Sequence, residues 1–256
     1  MEELWDVVDK FVITEANVTF TKQPKVMYFR EGEDRFEKYR DKIIYLETDL
    51  SNADGGAWNI ESIQRDYFVK NMDFHDSDVF IVGDVDEIPN VKIIENVLSE
   101  ITEYNFCSLI QTLHYYYVNC KAINRDWRGT FVITGSGLRG SSPTWWRYRK
   151  GRRHGTHRVS NGGWHFSYLG TPEKVLKKME ACFLPDGEKI KETSYSIEHV
   201  AMCIEKHSDI FNRPLLRFKI DNNQELPRYL VENKERFSHL FYVENNEFRY
   251  TDSEHQ

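Results

Sequence analysis

The segment Val79-Phe-Ile-Val-Gly-Asp-Val-Asp-Glu-Ile-Pro89 constrains this chain most, because four apolar residues and a glycine run straight into Asp84, Asp86 and Glu87. A short apolar run of this kind, bounded by turn residues, is a strand buried on both faces. Carboxylates crowded at its tip repel one another unless a cation lies among them. On a continuing strand Asp84 and Asp86, two residues apart, point to the same face and would share a divalent metal.

Strands and helices alternate around this segment. Residues 7–15 and 42–48 are strand-like, and residues 57–72 carry helical apolar spacing at Ile60, Ile63, Tyr67 and Phe68. After Pro89, residues 91–104 place Ile93, Ile94, Val97, Leu98 and Ile101 on one side of a helix; residues 106–118, 129–133 and 163–169 then read as strands. Helices follow near 172–182, 197–207 and 227–237. This rhythm predicts an α/β protein with a mostly parallel central sheet flanked by helices and a helical C-terminal part. With no repeat or low-complexity linker, the 256 residues form one domain: a core over 1–170, helices over 171–250 and a frayed tail at 251–256.

In an open parallel sheet ligands bind at the carboxyl ends of the strands, which is where the acidic cluster stands. A formal net charge of -7 excludes a general nucleic-acid binder. No stretch is long and apolar enough to span a bilayer, and Met-Glu-Glu-Leu-Trp-Asp at the start lacks the pattern of a signal peptide, so a cytoplasmic protein without a membrane span is expected. Cys107, Cys120, Cys182 and Cys203 include no C-x-x-C pair and read as reduced thiols. Between Gly135 and Gly163 the chain turns basic and aromatic, with Arg147, Arg152, Arg153, His154 and Arg158 in a stretch that would cover a bound diphosphate or lie solvated as a loop.

Several blocks occur here in a familiar order. They are Leu4-Trp-Asp-Val-Val-Asp-Lys-Phe-Val-Ile-Thr-Glu-Ala-Asn-Val-Thr-Phe20, Lys38-Tyr-Arg-Asp-Lys-Ile-Ile44, Ala57-Trp58 with Gln64-Arg65, Val82-Gly-Asp-Val-Asp-Glu-Ile-Pro89 and Gly162-Gly-Trp-His-Phe-Ser-Tyr168. Together they resemble glycosyltransferase family 17. The resemblance implies a GT-A-like fold, a UDP-linked nucleotide-sugar donor, a glycan acceptor, a divalent Mn2+ or Mg2+, and inversion at the anomeric carbon.

On that resemblance, Asp86 and Asp84 of the D-x-D motif hold the metal, with Asp84 alternatively turned to the donor ribose and His165 completing the metal site. Glu87 holds neighbouring backbone or a basic residue. Thr14, Glu15 and Asn17, at the end of the first strand, together with Gln64 and Arg65, would bind the donor; a guanidinium at Arg65 suits diphosphate or Asp84. Aromatic faces match sugar rings, and Tyr116, Trp127 and Trp145 are the candidates for an acceptor wall. Inverting transfer needs a carboxylate base. Asp126, Asp186, Glu188 and Glu198 are open to that role, Glu188 first and Asp186 next. Relatives are expected to carry a Ser-Phe-Ser-His-x-Glu-like block where this chain has Cys182-Phe-Leu-Pro-Asp-Gly-Glu188, which leaves the acceptor and donor sugar open.

Two other readings use the same residues. An aspartyl phosphatase would use Asp84 as nucleophile and Asp86 as acid and base, although Ile88 stands where that signature has Thr or Val. A carbohydrate-binding module would use the aromatic groove, with carboxylates holding structural calcium.

Overall fold

A computed structural model describes residues 1–150, 157–182 and 195–244. The first strands, β1 (Phe11–Ala16) and β2 (Ile43–Thr48), pair in parallel as a sheet of their own, joined by helix α1 (Tyr28–Glu31) and a 3-10 run over Glu33–Lys42. Helix α2 (Ala57–Asn71) follows, then β3 (Val79–Val82), β4 (Glu87–Pro89), helix α3 (Val91–Tyr104) and strands β5 (Phe106–Tyr115), β6 (Cys120–Trp127) and β7 (Phe131–Thr134). Short helices α4 (Gly135–Leu138) and α5 (Pro143–Trp145) precede β8 (Arg158–Ser167), α6 (Pro172–Ala181), α7 (Ile197–Glu205), β9 (Phe218–Ile220) and α8 (Arg228–Glu232).

Among the described residues the main sheet has seven strands, and of its pairings only β5 with β8 is parallel; β3 with β7, β4 with β8, β5 with β6, β5 with β7 and β6 with β9 are antiparallel. The expected mostly parallel sheet is therefore corrected to a mixed, mainly antiparallel one. Strand β8 lines one edge of β5 from Ser108 to Tyr115, while β7 and β6 follow one another along the other, with Ser108↔Phe131 and Gln111↔Trp127. An apolar strand buried on both faces reads the same whichever way its neighbour runs, so composition carried no signal for direction.

Local chemistry explains the helices. Asn90 accepts the Lys92 N–H with its side chain and starts α3; Ile94, Val97 and Ile101 are buried on one face; Asn105, in the left-handed region at φ 56°, ends it and donates its N–H to Ile101 O. Thr171 caps α6 by accepting the Lys174 N–H, Pro172 occupies its first turn, and Val175 and Met179 are buried four residues apart. Alternation along β5 and β7 divides the core. Cys107, Leu109 and Val132 pack with α3, whereas Phe106, Phe131 and Ile133 pack with Phe68 of α2, so these helices cover opposite faces. A third cluster joins Leu113, Tyr115 and Tyr116 to Val175 and Met179 of α6 and Val200 and Ile204 of α7. The four cysteines are free thiols, and no helix among the described residues is long and apolar enough to cross a membrane.

Candidate active site

Beyond Val82 the acidic segment does not continue as a strand. Glu87 N–H donates to Asp84 O at 2.9 Å, closing a turn, and Glu87 re-enters the sheet as β4 opposite His165 of β8. Val85 is fully exposed at the apex. The turn sends the two aspartates to different partners, which corrects the expectation that a continuing strand would point them to one face.

Glu87 is the buried anchor of the turn. It accepts hydrogen bonds from Trp127 Nε1 at 2.5 Å, Thr130 Oγ1 at 2.7 Å, Asp84 N at 3.1 Å, and Arg147 Nη2 and Nη1 at 2.7 and 3.1 Å. Burial alone would raise its pKa, but the Arg147 guanidinium holds the carboxyl below its ordinary value. Glycines make the room: a side chain at Gly129 would collide with Glu87, Trp127 and Arg147, and one at Gly83 would press on Thr130 and Glu87.

Arg147 comes from a π-type turn over Trp146–Lys150 and is only 4% exposed. Its mount is fixed upstream, where Asp66 of α2 accepts the Thr144 N–H at 2.8 Å and the Trp146 ring stacks on Phe106 at 4.6 Å. Besides Glu87 it reaches Asp84 Oδ2 at 2.5 Å, while Arg65 of α2 contacts Asp84 Oδ1 at 3.2 Å. Arg65 also pairs with Glu61, which accepts the Tyr148 hydroxyl at 2.8 Å; the Tyr148 ring stands edge-on to Trp58. Burial, with Glu61 and against the pull of Arg65, pushes the Tyr148 hydroxyl up to about 12.

Asp86 faces the other way. Lys178 Nζ donates to its Oδ2 at 2.5 Å, and His165 Nε2 lies 3.4 Å from its Oδ1. Burial would raise the Asp86 pKa, but His165 and Lys178 overcome that and hold the carboxyl far below its ordinary range. The ring of Trp127 lies 4.3 Å from His165, so side chains of β6 and β8 meet across β5, which pairs with both strands. Asp84, Asp86, Glu87 and Glu61 are thus interleaved with Arg65, Arg147 and Lys178, four carboxylates against three cations at a turn whose apex is exposed.

Among the described residues no three His, Cys, Asp or Glu side chains converge on one point as a metal cage would require. The smaller set of Asp86 with His165 fits a different kind of ion. Mg2+ and ions like it keep waters and take one or two protein carboxylates when they arrive with phosphate oxygens. Imidazole and carboxylate together suit Mn2+ as well.

The family model described as Glycosyltransferase family 17 matches residues 1–245. The chain belongs to glycosyltransferase family 17. Its similar relatives include the β-1,4-mannosyl-glycoprotein 4-β-N-acetylglucosaminyltransferases of Homo sapiens and Rattus norvegicus, each 34% identical over 96 residues, and that of Mus musculus, 33% identical over the same length. The match covers 34% of this chain and 18% of each relative, under a fifth of those proteins. No solved structure matches the chain significantly.

In this family 17 chain the fold brings Arg65, Asp84, Asp86, Trp127 and His165 together, and Glu87 holds backbone and a basic residue as expected. The other expected donor residues are engaged within the fold. Glu15 accepts the Phe29 N–H and the Tyr45 hydroxyl, and its carboxylate lies 3.5 Å from Lys25. Asn17 donates to Asp49 and Ser51 and accepts the Leu50 N–H, tying β1 to the loop after β2. Gln64 Nε2 donates to the Thr14 carbonyl.

Tyr116 is corrected from acceptor wall to core. It is fully buried, in the left-handed region at φ 66°, with its hydroxyl donating to Ser208 O at 2.6 Å. Trp145 sits half-buried, edge-on to Trp146. Glu188, Asp186, Arg152, Arg153 and His154 lie outside the described residues. Lys178 was not singled out from the sequence, where it reads as a solvated helical lysine; its place one residue before the buried Met179 is the only local signal. Arg147 was visible only as part of a basic run.

Proposed function

We propose that this protein is an inverting, metal-dependent glycosyltransferase that moves a GlcNAc-like sugar from a UDP-linked donor to a glycan hydroxyl. The observation that carries the reading is the turn at Asp84 to Glu87, whose carboxylates meet Arg65, Arg147 and Lys178 in a chain of family 17. The GT-A-like fold belongs to the same reading, supported by the parallel β1 and β2 with α2 packed beside them. The acetylglucosaminyl donor and glycan acceptor follow the names of the relatives.

In such a transfer the acceptor oxygen bonds to the anomeric carbon from the face opposite the leaving group, while the bond to the nucleoside diphosphate breaks. The acceptor proton passes to a carboxylate, for which Glu188 and then Asp186 are the candidates. A bound Mn2+ or Mg2+, held by Asp86 and His165, would neutralise charge developing on the diphosphate, while Asp84 stays with Arg65 and Arg147. The chain's own cations share that work. Arg65 has a buried Nη1 without a hydrogen-bond partner among the described residues, a donor ready for a phosphate oxygen. Arg147, clamped by Glu87, keeps Asp84 in place. Trp127, beside His165, offers an apolar surface to a sugar ring.

Thermal denaturation with UDP, GDP or CMP, each with and without Mn2+, tests the proposal. UDP with Mn2+ is expected to raise the midpoint in a concentration-dependent way, and Asp86→Asn to abolish the rise. No stabilisation by any nucleotide would overturn the assignment. Formation of an aspartyl phosphate would favour a phosphatase, and glycan binding indifferent to nucleotide a binding module.

A further inference from the structure

Among the described residues three cations meet the acidic turn, and they are not held alike. Arg147 is buried and clamped by two carboxylates, and Arg65, 9% exposed along its side chain, is paired with both Glu61 and Asp84. Among the described residues Lys178 has one carboxylate partner, Asp86, plus the Ser167 hydroxyl at 3.2 Å, and its side chain is 37% exposed. Its ammonium also lies 5.0 Å from the Tyr168 ring. Helix α6 aims it there, because Val175 and Met179 fix the helix face against the core and leave Lys178 at the edge facing β8. A lysine offers a compact charge on a flexible four-carbon stem, with three donors that rotate freely to new acceptors.

Asp86 is also the carboxylate best suited to a divalent ion. A dication at Asp86 and an ammonium 2.5 Å from the same carboxylate repel each other, so each weakens the other's hold on it. The incoming diphosphate, in contrast, brings acceptors for the displaced ammonium. We propose that Lys178 is a built-in counter-cation: it holds Asp86 while the site is empty and passes to the donor's diphosphate when a metal takes Asp86. The inference rests on the nucleotide-sugar reading above and adds an order to it, in which ion and nucleotide bind better together than either alone.

The exchange makes two predictions of opposite sign for one substitution. Lys178→Met keeps most of the stem and removes the charge. Mn2+ alone, followed by the loss of its free-ion electron paramagnetic resonance signal on the full chain, should bind about tenfold tighter to the variant, the scale of one charge-assisted contact. UDP at saturating Mn2+, followed by calorimetry, should bind about tenfold weaker for the same reason. Lys178→Gln, which retains a hydrogen-bond donor without the charge, should shift both in the same directions and serves if the methionine variant folds poorly.

Mn2+ affinity that is unchanged or weaker in both variants overturns the exchange, as does absence of Mn2+ binding to all three proteins. If UDP binds the wild type but both affinities move together in the variants, the exchange fails and the transferase reading stands. If UDP binds none of them, the transferase reading fails and this inference with it.

Discussion

Glu87→Gln removes one negative charge from the most densely bonded carboxylate of the site while preserving its volume. The Glu87 side chain is fully buried and both oxygens face donors: Trp127 Nε1 and Arg147 Nη2 at Oε1, and Arg147 Nη1, Thr130 Oγ1 and Asp84 N at Oε2. Whichever way the new amide turns, its NH2 meets donors, and Arg147 keeps Asp84 as its remaining carboxylate partner. Breaking a buried pair from one side costs roughly 3–5 kcal/mol, and the surviving contact to Asp84 places this case near ~3 kcal/mol. At about 2–4 °C per kcal/mol for a domain of this size, the midpoint should fall by ~6–12 °C. Calorimetry at pH 7 reads it, with Glu225→Gln as control, because Glu225 pairs with a largely exposed Lys92 and should leave the midpoint unchanged. A fall under ~2 °C for Glu87→Gln would refute the view that this carboxylate anchors the turn.

Other consequences can be read separately. His114 is fully buried against Phe166, and burial, aided by Lys121 and His165, pushes its imidazole down to about 3. The folded protein therefore refuses a proton that the unfolded chain binds below ~6.5, so this contribution is whole above that pH and falls towards pH 3, by up to ~1.4 kcal/mol per unit. Urea titrations at pH 7 and pH 5 should show the fall, and His114→Gln should make it smaller; equal falls would contradict the assignment. Tyr116→Phe leaves the part-buried Ser208 carbonyl without the tyrosine donor and should cost ~1–2 kcal/mol in urea unfolding, with nucleotide affinity unchanged. Gly129→Ala drives a methyl into Glu87, Trp127 and Arg147 and should destabilise by roughly 1–3 kcal/mol, measured the same way; a neutral effect would mean the turn yields easily.

The helices of this fold were plain in the sequence because their signals are local. Apolar spacing over residues 91–104 and 172–182 matches α3 and α6 to within a residue, and the sequence carries their caps at Asn90 and Thr171. Strand partners were not plain, since pairing is decided by contacts between distant segments. β3 was legible as a buried strand, yet its ladder runs antiparallel with β7, fifty residues on. Strand β6 escaped notice because Ile123 to Asp126 is exposed and largely polar, so the alternation fades after Ala122. At the site, Asp84 and Asp86 stood out by composition, but Val85 between them looked like more strand when it caps a turn. Arg147 and Lys178 carry no motif; only the tertiary fold distinguishes a buried guanidinium from its basic neighbours, or a lysine on Asp86 from one in water.

The central claim is transfer of a sugar from a nucleotide at the Asp84 to Glu87 turn. Incubation with UDP-GlcNAc, Mn2+ and a mannose-containing glycan, with proton NMR of the product, tests it most directly. The account predicts UDP release matched by a new glycosidic linkage inverted relative to the donor, lost in Asp86→Asn. Retained anomeric configuration would contradict inversion, and transfer undiminished in Asp86→Asn would remove the acidic turn from the reaction.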